Sequence, residues 1–169
     1  MADFFQNGEI TNLHRLKPGN TERLEHELEG FTRNRPIALV LPALYQDLKA
    51  APIRDILDNI ARVKYLNEVV LTLGRTDRQG FAEAQEMFST LPIQVSIIWN
   101  DGDNIQDLYR CLEKQGVSAV GDGKGRSAWM AYGYILARGK SDVIVLHDCD
   151  IVNYDRELLA RLCYPVANP

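Results

Sequence analysis

Cysteine is scarce in this sequence. Its three residues, Cys111, Cys149 and Cys163, are odd in number and lack CxxC spacing. That argues against a disulfide framework and a structural zinc site, and a cytosolic compartment is expected. Long hydrophobic runs are missing as well: the longest are strand-sized blocks, too short to cross a bilayer. The opening stretch "MADFFQNGEITNLHRL" has an early acid and no extended apolar block, so no secretion signal is expected there. Positive charge is not in excess. A net charge of -4 and a pI near 5.4 offer nucleic acid no electrostatic footprint. A phosphorylated ligand would have to be held by local devices: a metal, a lysine or a helix N-terminus. Internal repeats and low-complexity tracts are absent. So is GxxxxGK[ST], and no GxGxxG follows the first strand-like block, which excludes a Walker A loop and a dinucleotide fingerprint.

What remains is the composition of one ordinary globular domain: 169 residues, 46% hydrophobic and 25% charged. Residues 1–35 differ from the rest. "KPGN" reads as a turn, after which Asn20 or Thr21 caps a helix "TERLEHELEGF" ending near Gly30. This segment is expected to form a separate helical arm or surface helix that packs on a partner, with the main domain spanning 36–169. From Pro36 onward apolar blocks and amphipathic stretches alternate. Strands are expected at 37–44, 68–73, 93–98 and 142–147. Helices are expected in "APIRDILDNIARVKYL", "DRQGFAEAQEMFSTL", "NIQDLYRCLEKQG" (Asn104 as N-cap, Gly116 as stop), "GRSAWMAYGYILARG" and "DRELLARLCYP". Strands apolar on both faces and separated by helices predict an α/β fold, a parallel sheet covered by helices. Such sheets bind ligands beyond the carboxyl ends of their strands. Four stretches fall there: "LPALYQD", "LGRTD", "WNDGDN" and "HDCD".

The last of these carries the most chemistry. Asp148 and Asp150 are alternate residues of an extended segment, so both carboxylates can face one ligand. Like charges so placed call for a divalent cation, Mg²⁺ or Mn²⁺, which in turn would offset the charge of a diphosphate. A turn carrying two solvated aspartates is the plainer alternative. His147 reads as the last strand residue more than as a third ligand, and Cys149 as pointing into the core. In "GDGKGRSAW", glycines allow close approach to a ligand and Lys124 supplies a point charge for phosphate, ahead of a helix beginning near Arg126. A surface loop is the competing reading. After the first strand, "LPAL" gives a stiff exit whose backbone can meet a base edge, with Gln46 or Asp47 as a hydrogen-bond partner. Tyr45 either stacks or covers the core. "GRTD" (Gly74–Asp77) can contact ribose or base, or simply cap the next helix. "WNDGDN" reads as a turn with an N-cap more than as a site.

Together "LPAL", "GRTD", "GKG" and "HDCDI", spread over residues 37–151, resemble the nucleotide-binding half of a GT-A-fold glycosyltransferase. The likeness is to the retaining group that makes glucosyl-3-phosphoglycerate and mannosylglycerate. It implies a GT-A-like, Rossmann-like, mostly parallel sheet flanked by helices. It also implies metal-assisted, retaining transfer of a hexose from UDP-glucose or GDP-mannose to a small acceptor such as glycerate or 3-phosphoglycerate. By the resemblance, Leu41, Pro42, Ala43, Leu44 and Asp47 line the base pocket. Gly74 and Thr76 lie near the nucleoside, Lys124 near the diphosphate, Asp148 near ribose and metal, and Asp150 on the metal. No side chain here is an obvious nucleophile or base, which fits a route in which the leaving phosphate assists proton removal. Two departures stand out. Tyr45-Gln46-Asp47 replaces the Asn-Glu of relatives, and the family's acceptor pocket and further metal-binding histidine belong to a C-terminal half. The chain is therefore expected to be a truncated enzyme, to bind nucleotide weakly, and to expose Leu158, Leu159 and Leu162 so that it self-associates. A nucleotidyltransferase and a catalytically silent nucleotide-binding or assembly module are the alternatives.

Overall fold

The computed structural model describes residues 19–117 and 123–169. Its centre is a parallel sheet of four strands: β1 (Ile37–Leu44), β2 (Leu66–Gly74), β3 (Gln94–Trp99) and β4 (Val143–Leu146), in the order β3-β2-β1-β4. Every strand expected from the sequence is present. The central strand is buried on both sides, with Ile37, Ala38, Leu39, Val40 and Leu41 all at 0% exposure. Alternation divides them between two cores. Ile37, Leu39 and Leu41 face helices α1 (Thr21–Phe31), α2 (Pro52–Ile60), α3 (Arg78–Phe88) and α6 (Arg156–Ala167). Ala38 and Val40 face Tyr109 of α4 (Asp103–Lys114) and Met130, Ala131 and Ile135 of α5 (Lys124–Arg138).

This division follows from handedness. Crossovers between parallel strands are right-handed. The chain steps outward from β1 to β2 to β3, then returns across β1 to reach β4, which places α4 and α5 on the opposite face. The reversal lies between β1 and β4, and the carboxyl ends of a sheet at such a reversal frame a crevice.

The helix expected over "APIRDILDNIARVKYL" stops at Ile60. Val63 recurs at helical spacing, yet it is buried from the turn that carries the chain into β2, beside Tyr65 at 1% exposure. Helix α4 starts two residues earlier than an Asn104 cap would place it, with Gly102 in the cap position. The Gly102 carbonyl accepts from the Gln106 amide at 3.0 Å, and glycine suits the position because a side chain there would sit 2.8 Å from the Trp99 ring.

Helix α1, expected in an arm that packs on a partner, packs on α6 of the same chain. Leu24 and Leu28 enter the main core, Phe31 and Tyr164 meet edge-on at 5.6 Å, and the Arg35 guanidinium donates to the Asn168 carbonyl at 3.2 Å. This contact also changes the expectation for α6. Leu159 is fully buried, and Leu158 and Leu162 are partly buried against the core, so no bare apolar strip runs along them. Among the described residues no helix is long and apolar enough to cross a membrane.

Candidate functional site

At the carboxyl edge of the sheet lies a cleft of about 320 Å³. Strand β1 and the turn after it contribute Pro42, Ala43, Leu44 and Asp47; β2 contributes Gly74 and Arg75. Asn100 and Asp101 come from the end of β3, Gly123, Lys124 and Ser127 from the start of α5, and Asp148, Cys149 and Asp150 from the segment after β4. All four strand exits therefore meet in one place.

The segment after β4 is held from below. His147 is 7% exposed, and both ring nitrogens are engaged: Nδ1 lies 3.0 Å from the Asp148 carbonyl and Nε2 3.0 Å from the Tyr154 hydroxyl. With Tyr154 donating to Nε2, Nδ1–H donates to the carbonyl. Burial lowers the imidazole pKa to about 4, so His147 is neutral and structural. Cys149 is 2% exposed; burial, with the nearby Asp47 and Asp150 carboxylates, pushes its thiol up to about 12. The residues on either side of Cys149 are turned outward, and Lys124 donates to Oδ1 of Asp148.

Four carboxylates (Asp47, Asp101, Asp148, Asp150) and two cationic side chains (Arg75, Lys124) line the cleft. Two of the acids are tied to backbone. Asp47 accepts from the Leu44 amide at 2.7 Å and Asp101 from the Thr76 amide at 3.0 Å. The pair after β4 thus has the most freedom to meet a cation. Among the described residues no group of three His, Cys, Asp or Glu could hold a metal. Two carboxylates alone suit a cation such as Mg²⁺, which completes its octahedron with water and ligand phosphate.

Two residues expected in the nucleotide pocket lie elsewhere. Leu41 is at 0% exposure inside the core, because alternation turns it toward the helices. Thr76 points its hydroxyl toward α3, its carbonyl accepting from the Trp99 indole at 3.1 Å. Tyr45 takes the covering role: its hydroxyl donates to Glu83, and its ring lies over Gly80. An added methyl at Gly80 would clash with Thr76 Oγ1 and lie 2.8 Å from Tyr45 Cε2. Gly80→Ala should therefore destabilise the fold by about 1 kcal/mol or more in urea titration, although alanine is the better helix former. A stabilised variant would contradict this packing.

Conversely Arg75, Asn100, Asp101 and Ser127 line the cleft without having been singled out. "WNDGDN" is a turn, as expected, but the same turn delivers Asn100 and Asp101 to the cleft. The Asn100 amide donates to Ser127 Oγ at 2.9 Å, joining β3 to the start of α5. The signal available was position at a strand's carboxyl end.

The glucosyl-3-phosphoglycerate synthase of Persephonella marina is 46% identical over all 169 residues, which cover 42% of that enzyme. The one from Methanococcoides burtonii is 32% identical over 165 residues, 97% of this chain and 40% of the enzyme. This chain is similar to glucosyl-3-phosphoglycerate synthases. It spans about two-fifths of the length of these curated relatives. No family model matches it. In fold it resembles the Mycobacterium tuberculosis glucosyl-3-phosphoglycerate synthase solved with uridine diphosphate. The TM-score is 0.54 at 19% identity, over 98% of this chain and 47% of that one. A second mycobacterial protein gives 0.56 at 19% identity, over 86% and 41%. The GT-A-like α/β architecture is thus shared with solved glucosyl-3-phosphoglycerate synthase structures.

Proposed function

We propose that the chain is the nucleotide-sugar-binding part of a retaining hexosyltransferase that moves glucose from UDP-glucose to 3-phosphoglycerate or a closely related small acid. The observation that carries this reading is the convergence of Asp148, Asp150 and Lys124 at the sheet's reversal point, in a cleft with more acid than base. The names of the 46% and 32% identical relatives support the sugar and the acceptor. The fold neighbour solved with uridine diphosphate supports uracil as the base.

In this reading Asp148 and Asp150 hold Mg²⁺ or Mn²⁺, and the residues present fit it, as two outward carboxylates with room for phosphate ligands. A bound divalent cation would offset the charge that gathers on the nucleoside diphosphate as it leaves the anomeric carbon. Lys124 exchanges its Asp148 partner for a phosphate oxygen, a move its half-exposed position permits (51% of its side chain is accessible). Lys124 opens α5, a helix of 15 residues, so the same phosphate also meets the positive end of the helix dipole. Pro42, Ala43, Leu44 and Gly74 offer a flat, largely backbone wall to the nucleoside.

Calorimetric titration with UDP and GDP, with and without Mn²⁺, tests the reading. UDP is expected to bind more tightly than GDP, and only with the cation. Equal binding after chelation would overturn it. A narrower prediction concerns Lys124→Ala. The apo protein should keep its stability to within about 0.5 kcal/mol, because the side chain is half-exposed and its ion pair with Asp148 is open to solvent. UDP affinity should fall roughly ten- to hundredfold, the value of one hydrogen bond to a charged group. A marked loss of apo stability would assign Lys124 a structural role instead.

A further inference from the structure

Arg75 is the one non-glycine among the described residues with a left-handed backbone, at φ 55°. A bulky side chain in that region is uncommon and costs free energy, whereas glycine adopts it freely. The strain is enforced by its neighbours. Gly74 accepts from the Tyr45 amide at 3.1 Å, the Thr76 amide donates to Asp101 at 3.0 Å, and the Thr76 carbonyl accepts from the Trp99 indole. Trp99 in turn stacks on Phe81 at 5.1 Å, and Asp77 caps α3 through the Gly80 amide at 2.9 Å. A turn fixed on both sides aims residue 75, and residue 75 lines the cleft. The side chain so aimed is an exposed guanidinium that no hydrogen bond or ion pair engages among the described residues, unlike Lys124.

The part of a ligand that Arg75 meets follows from the sheet. Strand β2 lies two positions from β4, so their exits are separated by roughly 10 Å. A diphosphate at Lys124, Asp148 and Asp150 leaves its nucleoside to extend over the exits of β1 and β2. The backbone-tied carboxylates Asp47 and Asp101 disfavour a second anion there, and a neutral base with a carbonyl oxygen is the complementary group.

We propose that Arg75 is a specificity-determining residue of the cleft, donating from its guanidinium to a carbonyl oxygen of the base of a nucleoside diphosphate. The proposal rests on the nucleotide-binding reading above. It predicts preference for bases with such an oxygen, as in UDP, over adenine, which has none.

Calorimetry on wild type and Arg75→Gly with UDP, ADP and pyrophosphate, all with Mg²⁺, tests it. Glycine relieves the left-handed strain, so the melting temperature of the apo variant should be no lower than that of wild type. Its UDP affinity should fall tenfold or more, with the UDP-to-ADP preference reduced by the same factor and pyrophosphate binding unchanged. Arg75→Lys, which keeps the charge and loses the planar fork, should fall between the two. An unchanged UDP-to-ADP ratio would overturn the proposal, as would an equal loss for pyrophosphate. Failure of the wild type to bind UDP with Mg²⁺ would remove the functional reading beneath it.

Discussion

Asp150→Ala abolishes the dependence of UDP binding on Mg²⁺ or Mn²⁺, while the protein stays folded: this is the expected outcome, and the largest expected effect on function. Asp150 is exposed at the lip of the cleft. Its removal breaks no hydrogen bond among the described residues and, at an exposed position, leaves no cavity, so apo stability should shift by no more than about 0.5 kcal/mol. With it goes the carboxylate of the pair that no hydrogen bond or ion pair engages among the described residues, and Asp148, already held by Lys124, is left alone. One monodentate aspartate cannot anchor a hard, strongly hydrated ion against a diphosphate that also binds it in solution. Metal-linked affinity should therefore fall by roughly a hundredfold or more, on the scale of a lost charge-assisted contact. Asp148→Ala should do the same and also free Lys124. The two variants should thus share the loss of metal linkage, with Asp148→Ala retaining somewhat more cation-independent affinity for the diphosphate. If Asp150→Ala titrates like wild type at every metal concentration, the pair after β4 is only a solvated turn.

The architecture was readable because its signals are local and redundant. Each strand is a short apolar block, each helix an amphipathic stretch, and for parallel strands the handedness rule supplies the layering. The boundaries that moved did so where tertiary contacts overrode period. Val63 continues the spacing of α2 but is buried by a turn, and the cap of α4 is Gly102, which packs against Trp99, and not Asn104. The cleft was legible as a set of strand exits, less so residue by residue. Leu41 and Thr76 sit in the right stretches, but alternation and the turn after β2 direct their side chains away. Arg75 was hidden for a different reason. Nothing in "GRTD" announces a left-handed arginine, since that conformation arises from contacts with Asp101 and Trp99, both more than twenty residues away in sequence. The docking of α1 on α6 is likewise a long-range event: the sequence marks the apolar face of each helix, not the identity of its partner.

That docking carries the second large prediction. Leu28 is at 0% exposure and Leu24 at 6%, one turn apart on the face of α1 that meets α6. Opposite them, Leu159, Cys163, Tyr164 and Ala167 are buried to the same degree. Leu28→Ala should cost about 2–5 kcal/mol, the transfer free energy of the lost methyls plus the cavity they leave. The exposed His26, on the outer face of the same helix, provides the control: His26→Ala should change stability by no more than about 0.5 kcal/mol. Urea unfolding monitored by circular dichroism separates the cases. A lowered midpoint with an unchanged slope marks α1 as part of the cooperative unit. A wild-type midpoint for Leu28→Ala would return the helix to the role of an arm awaiting a partner. The consequence extends to the cleft, because α6 follows directly on the aspartate pair. Asp155 caps α6 by accepting from the Leu158 amide at 2.7 Å, and Tyr154 reaches back to His147 at the end of β4. The segment bearing Asp148 and Asp150 is thus suspended between β4 and a helix whose outer side is covered by α1. Loosening α1 should blur the spacing of the two carboxylates before the sheet itself unfolds, so Leu28→Ala should weaken metal-linked UDP binding even at urea concentrations where the chain is still folded.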